Sequence, residues 1–324
     1  MARTELEVVV LWHMHQPDYR EPRTGRVPMP WVRLHALSSY RDVLRLIRET
    51  PDARAVYNVV PVLLQQLEDL VAGQEDDFLA LARPDPADLT AAQRLEIVRH
   101  FFAFNHRRRF AELPRLGELY RRRQALGPEP TTRGVESFST QDLRDLQVGF
   151  HLAWSGRTLR EDERVAALLE RGRGFSEGDK ADLLEVQQEF LAGVLPALRD
   201  AAGGEAVEFS ATPLCHPILP LLCDTGSARE ARPELPLPAA RLQRPGDAWY
   251  HVRTALTECE RILGVRPAGM WPAEGSLSDE SVRIFAAEGI RWLGCDQEVL
   301  AASWGDRESP PGGHFQAHRL ADLS

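Results

Sequence analysis

The chain has 324 residues, of which 43% are hydrophobic, enough for one large α/β domain or two smaller ones. With 48 acidic against 39 basic side chains, the net charge is -9, which argues against nucleic acid or an anionic membrane surface as the main partner. No apolar run reaches the roughly 20 residues of a membrane span, and "MARTELEVVV" lacks the parts of a secretory leader, so a cytoplasmic location is expected.

Short β-branched runs predict strands at 6–12, 55–60 ("AVYNVV"), 206–210 ("AVEFS"), 267–270 and 290–295 ("IRWLGC"). Between them "RDVLRLIR", "PVLLQQLEDLVAG" and "SVRIFAAEG" carry helical period, and such alternation predicts parallel strands joined by right-handed crossovers. From about 75 to 200 the pattern is almost wholly helical ("AAQRLEIVRHFFAF", "QDLRDLQVGFHLAW", "DLLEVQQEFLAGVLPALRD"). This middle reads as a helical insertion on one βα loop, where α/β enzymes build lids and substrate walls. The arginine-rich pieces "NHRRRF" and "YRRRQ" sit among glutamates on helices and read as solvated faces. Cys215, Cys223, Cys259 and Cys295 lack CxxC spacing and read as reduced thiols, not a zinc knuckle or a disulfide framework.

Three polar clusters each follow a predicted strand. The first is His13, His15, Gln16 and Pro17 in "LWHMHQPDYR". The two histidines are two residues apart, so they project to one face where the strand stops, and Pro17 ends the ladder. His216 in "EFSATPLCHPILPLL" and Glu274 in "GMWPAEGSLSDE" mark the other two. Two chemistries fit. His13, His15 and His216 offer three imidazoles of the kind that bind zinc. Glu274 beside Trp271, with Trp12, Trp31, Trp154 and Trp292 as further aromatic surface, suits carbohydrate chemistry, which needs carboxyl groups at the scissile bond.

In this order, "HMHQP", "TPLCHPILPLL" and "GMWPAEGSLS" together resemble glycoside hydrolase family 57, as do "FSTQDLRDLQVGFHLAW" and "RWLGCDQEVL". The resemblance runs from residue 8 to about 300. It implies a distorted (β/α)7 TIM-like barrel with a large helical insertion, acting on α-glucans by a retaining mechanism without a cofactor or metal. By the same resemblance Glu274 is the nucleophile. His13, His15 and Gln16 match the H-x-H-Q-P motif beside the cleaved bond, His216 matches the H-P-I-L-P histidine, and Trp271 supplies aromatic wall; Trp31, from the aromatic surface noted above, is expected to bind substrate too. The histidines are then hydrogen-bonding groups for sugar hydroxyls, not zinc ligands.

The family's acid/base aspartate lies in a later motif like F-R-D-x-x-L-S-D, which this sequence lacks. The acid is therefore expected beyond Ser324, in a barrel cut short at its C-terminus, with Asp296 assigned to the site wall and Asp322 set aside. Two rivals remain at this point: a zinc-dependent carbohydrate deacetylase-like enzyme using the three histidines, and a carbohydrate-binding remnant without its acid.

Overall fold

The computed structural model describes residues 8–304, 313 and 316–319; Asp322 and the first two residues of the expected first strand lie outside them. The chain divides into two compact units. One combines Met1–Asp18, Thr50–Gln65 and Leu198–Ser324, the other Tyr19–Glu49 and Gln66–Ala197.

The first unit is α/β. Its sheet, among the described residues, holds β1 (Leu11–Met14), β2 (Ala55–Val59), β3 (Val207–Ala211), β4 (Gly269–Met270) and β5 (Trp292–Leu293). All neighbours are parallel and spatial order equals chain order. That is a singly wound sheet, the winding a (β/α) barrel requires, with β1 and β5 at the edges of these five strands. β2 and β3 pair directly although about 150 residues lie between them, which is the neighbourhood expected when the intervening chain is an insertion.

The first strand is shifted relative to the apolar run that predicts it. β1 starts at Leu11, and Val8 and Val9 are 73% and 74% exposed. The cause is register: Leu11 pairs with Val56, and β2 itself begins only at Ala55, so the earlier valines have no ladder to join. As a result His13 lies inside the strand instead of beyond its end. β4 and β5 are also shorter than their apolar runs; Pro267 cannot donate to a ladder, and Pro272 closes the far side of β4.

One face of the sheet is apolar. Met14, Val59, Ala211 and Met270 are all buried there, and the Tyr57 and Phe209 rings meet at 5.5 Å. The helix Pro245–Leu263 supplies a buried stripe of Ala248, Val252, Ala255, Leu256, Cys259 and Ile262, at the three- and four-residue spacing of one helical face. Proline in its first turn and Gly264 at φ 77° after its last residue set its ends. None of the four cysteines is disulfide-bonded, and burial pushes the Cys223 and Cys259 thiols up to about 11 and about 12.

The second unit is helical and takes in residues 19–49, which the pattern at 75–200 does not include. Its central helix, Thr140–Trp154, is capped by a reciprocal Ser139–Asp142 box and buried on nearly every side from Leu143 to Ala153. Gly149 lets Leu116 pack close; a Cβ there would sit 2.6 Å from the Leu116 side chain. Phe78, Phe101 and Phe150 cluster beside it. Charges are buried too: Arg33 and Asp76 form a 2.5 Å pair, each side chain 2% exposed or less. The arginines of the two rich pieces serve local contacts. Arg108 and Arg109 pair with Glu112, while Arg123 donates to the Gly127 and Pro128 carbonyls.

Candidate active site

The strands of the first unit end together, and their inward-facing side chains form the site. Register aligns His13 with Asn58, Asn58 with Ser210, Ser210 with Gly269, and Gly269 with Trp292. Two residues further on, just past the ends of β1, β3, β4 and β5, come His15, Thr212, Trp271 and Gly294. The topology thus turns distant sequence positions into one layer.

His13 is fixed from behind. Its Nδ1 lies 2.6 Å from Asn58 Oδ1, which also accepts from the Thr212 hydroxyl at 3.0 Å, while Asn58 Nδ2 donates to Ser210 Oγ at 3.0 Å. With Asn58 Oδ1 as acceptor, His13 Nδ1 carries a proton and Nε2 is the nitrogen left facing the site. Asn58, Ser210 and Thr212 are completely buried, so this network is paired throughout. Sequence reasoning missed all three. The available signal was a lone asparagine inside the apolar run "AVYNVV", at the parity that matches His13 across the sheet.

His216 arrives from the loop after β3. A turn closed by the His216 amide on the Pro213 carbonyl brings it back over the strand ends, with φ at 59°. Its ring stacks on His15 at 4.1 Å and 12°, and lies 5.5 Å from His13. Glu274 follows β4 in the one-turn helix Ala273–Gly275, also left-handed at φ 56°. Its carboxylate is 3.9 Å from His216 Nδ1 and its side chain is 69% exposed. Among the described residues only Asp52 joins His216 and Glu274 as a non-glycine with positive φ. Such strain persists where the surroundings over-determine it, and it concentrates at functional sites.

The crowding sets charge. Burial, then the neighbouring His216 and His13, lower His15 to about 4 against a weaker upward pull from Glu274. Burial and His13 lower His216 in the same sense. At neutral pH both rings are neutral, each offering one N–H and one lone pair. The aromatic walls depend on two glycines: a Cβ on Gly269 would meet the Trp292 ring at 1.8 Å, and one on Gly294 would meet Trp271 at 2.5 Å. Trp292 is held by its Nε1 donating to Glu208 at 2.8 Å. What stands at the strand ends is one exposed carboxylate facing three clustered imidazoles, with indole rings alongside. The sequence model of glycosyl hydrolase family 57 matches residues 9–317.

The chain belongs to glycosyl hydrolase family 57. Among solved structures it is similar to an α-amylase from Thermotoga maritima, with 12% identity and a TM-score of 0.46, covering 93% of this chain and 41% of that one. It is also similar to a branching enzyme from Thermococcus kodakaraensis (15% identity, TM-score 0.43, 88% of this chain and 38% of that one). A branching enzyme from Pyrococcus horikoshii has 15% identity and a TM-score of 0.41, over 88% of this chain and 40% of that one. The chain therefore spans less than half the length of each. No curated protein matches it.

The other residues expected in the site of this family-57 chain are placed as follows. Gln16 is partly buried just after His15, and Trp271 is partly buried at the end of β4. The Asp296 backbone lies against Gly275, where a Cβ would be 3.1 Å from the Asp296 nitrogen, and its carboxylate accepts from the Glu298 amide at 2.7 Å. Trp31 belongs to the helical unit, where it packs on Trp154 at 5.9 Å.

Proposed function

We propose that the protein is a retaining glycoside hydrolase or transglycosylase acting on α-glucans, with Glu274 as its nucleophile. The observation that carries this is the convergence of Glu274, His13, His15 and His216 at the strand ends of a family-57 chain. Glu274 attacks the anomeric carbon as the bond to the leaving oxygen breaks, and that oxygen takes its proton from a second carboxyl group, the acid/base aspartate of the later motif that this sequence lacks. The covalent glycosyl-enzyme is then opened by water or by another sugar hydroxyl; which acceptor wins decides between hydrolysis and transfer. The histidines pair with the hydroxyls of the bound glucosyl unit, with His13 held in place through its Nδ1 by Asn58. Trp271 and Gln16 contribute sugar-facing surface. Asp296 serves as wall, with one carboxylate oxygen accepting from the Glu298 amide.

A 5-fluoro α-glucosyl or maltosyl fluoride tests this. Its fluoride leaves without a proton, and the ring fluorine slows the second step, so the glycosyl-enzyme accumulates. Mass spectrometry of the digested wild-type protein is expected to find the label on the peptide carrying Glu274, and none in Glu274→Gln. Labelling at Asp296, or no label on a folded chain, would overturn the assignment. Zinc-dependent release of acetate from an acetylated sugar, without labelling, would favour a deacetylase.

A further inference from the structure

We propose that His13, His15, His216 and Glu274 also form a binding site for a single borderline transition-metal ion such as Zn²⁺, which occupies the cleft in place of a sugar. This goes beyond the glycosidase reading, since the ion is held by the side chains alone and whatever reaction they serve.

Geometry carries it. One ligand nitrogen from each of the three histidines lies within 4.8 Å of the others. A tetrahedral zinc ion with bonds of about 2.0–2.1 Å needs its nitrogen ligands roughly 3.4 Å apart. The rings must close by about 1 Å or a little more, within reach of small χ rotations of side chains that are only partly buried. The first ligand is pre-aimed: the Asn58 bond holds the proton on His13 Nδ1 and leaves Nε2 to bind, the arrangement that orients metal-ligating histidines generally. Asn58 is itself fixed by Ser210 and Thr212. Glu274 lies outside that group of three, but its carboxylate, 3.9 Å from His216 Nδ1 on an exposed side chain, can swing in as the fourth, anionic ligand. Three imidazoles and one carboxylate select Zn²⁺, Co²⁺ or Cu²⁺ over Mg²⁺ or Ca²⁺, which prefer oxygen cages. Because the ion takes the carboxylate and the imidazole lone pairs, a chain holding it has no nucleophile to offer.

The test is equilibrium dialysis of the full chain against ZnCl₂ followed by elemental analysis, with CoCl₂ as a spectroscopic probe and MgCl₂ as a control. The expected result is one zinc per chain, no retained magnesium, and a tetrahedral Co²⁺ visible spectrum without a thiolate charge-transfer band. His216→Gln and His15→Asn should each lose the ion, Cys215→Ser should keep it, and Asn58→Leu should weaken it by about 10–100-fold. Circular dichroism checks the fold of each variant, and the wild-type Co²⁺ spectrum reports the ligand set if one fails to fold. No bound ion, a thiolate band, or zinc retained in the folded histidine variants would overturn the proposal. A chain that binds zinc but is never labelled at Glu274 loses the glycosidase reading and keeps this one; labelling without zinc binding does the reverse.

Discussion

Glu274 occupies a left-handed backbone conformation, φ 56° and ψ 21°, that an L-residue with a Cβ adopts at a cost of about 1–2 kcal/mol. Its side chain is 69% exposed, so truncation removes little burial. Glu274→Gly relieves the backbone and loses about 0.4–1 kcal/mol through the freer unfolded chain, for a net gain of roughly 0.5–1 kcal/mol. Glu274→Ala keeps the penalty and is expected to match the wild type or fall slightly below it. Glycine should therefore exceed alanine by about 1 kcal/mol, opposite in sign to their order inside a helix or strand. Urea unfolding of the three proteins measures this through the midpoints, with unchanged slopes required for comparison. Both variants lack the carboxylate and should fail to label with a glycosyl fluoride, so a more stable protein would be an inactive one. Alanine equal to or above glycine would refute the strain and remove one argument for a functional Glu274.

Gly269→Ala places a Cβ 1.8 Å from the Trp292 ring, so it should cost about 1–3 kcal/mol and be largely rescued by Trp292→Leu in a double-mutant cycle read by urea unfolding. Asp76→Ala leaves Arg33 as an uncompensated buried charge and also removes the cap on the Leu79 amide; a loss of about 3–5 kcal/mol is expected by the same measurement. The folded-state values of His15, about 4, and His151, about 3, lie below the ordinary 6.5, so the unfolded chain takes up protons first as pH falls. Stability should hold above about pH 6.5 and decline below it, before the lowered carboxylates titrate; His15→Gln should flatten that slope in urea midpoints taken from about pH 7 to 4.5.

The sheet was legible because β-branched runs separated by helical periods leave few ways to wind the chain, and the second and third strands appear within a residue or so of their apolar runs. The first strand was misplaced because hydrophobicity reports which residues are able to form a strand, whereas its limits depend on where the partner begins. The same limit hid Asn58, Ser210 and Thr212. A buried polar network is visible in one dimension only as isolated polar residues, and its meaning comes from register across strands about 45 and 150 positions apart. Trp31 reads in the sequence only as aromatic surface, and its packing on Trp154 inside the helical unit comes from tertiary structure that one dimension does not show.

The two loops that carry His216 and Glu274 solve one problem in the same way. Each strand gives way to a proline, Pro213 after β3 and Pro272 after β4, which cannot extend the ladder. In each, that proline's carbonyl accepts the amide three residues on, from His216 in one loop and Gly275 in the other. The functional residue then takes positive φ, turning the chain sharply at the strand end instead of carrying it outward. Gly275, at φ 67°, continues the turn after Glu274 and leaves room for the Asp296 backbone. The prolines are plain in "TPLCHP" and "WPAEG", but the left-handed step has no signature of its own: histidine is among the residues that tolerate it, whereas glutamate is a poor choice. Glutamate at position 274 in spite of that cost is the backbone observation that supports the proposed role of Glu274.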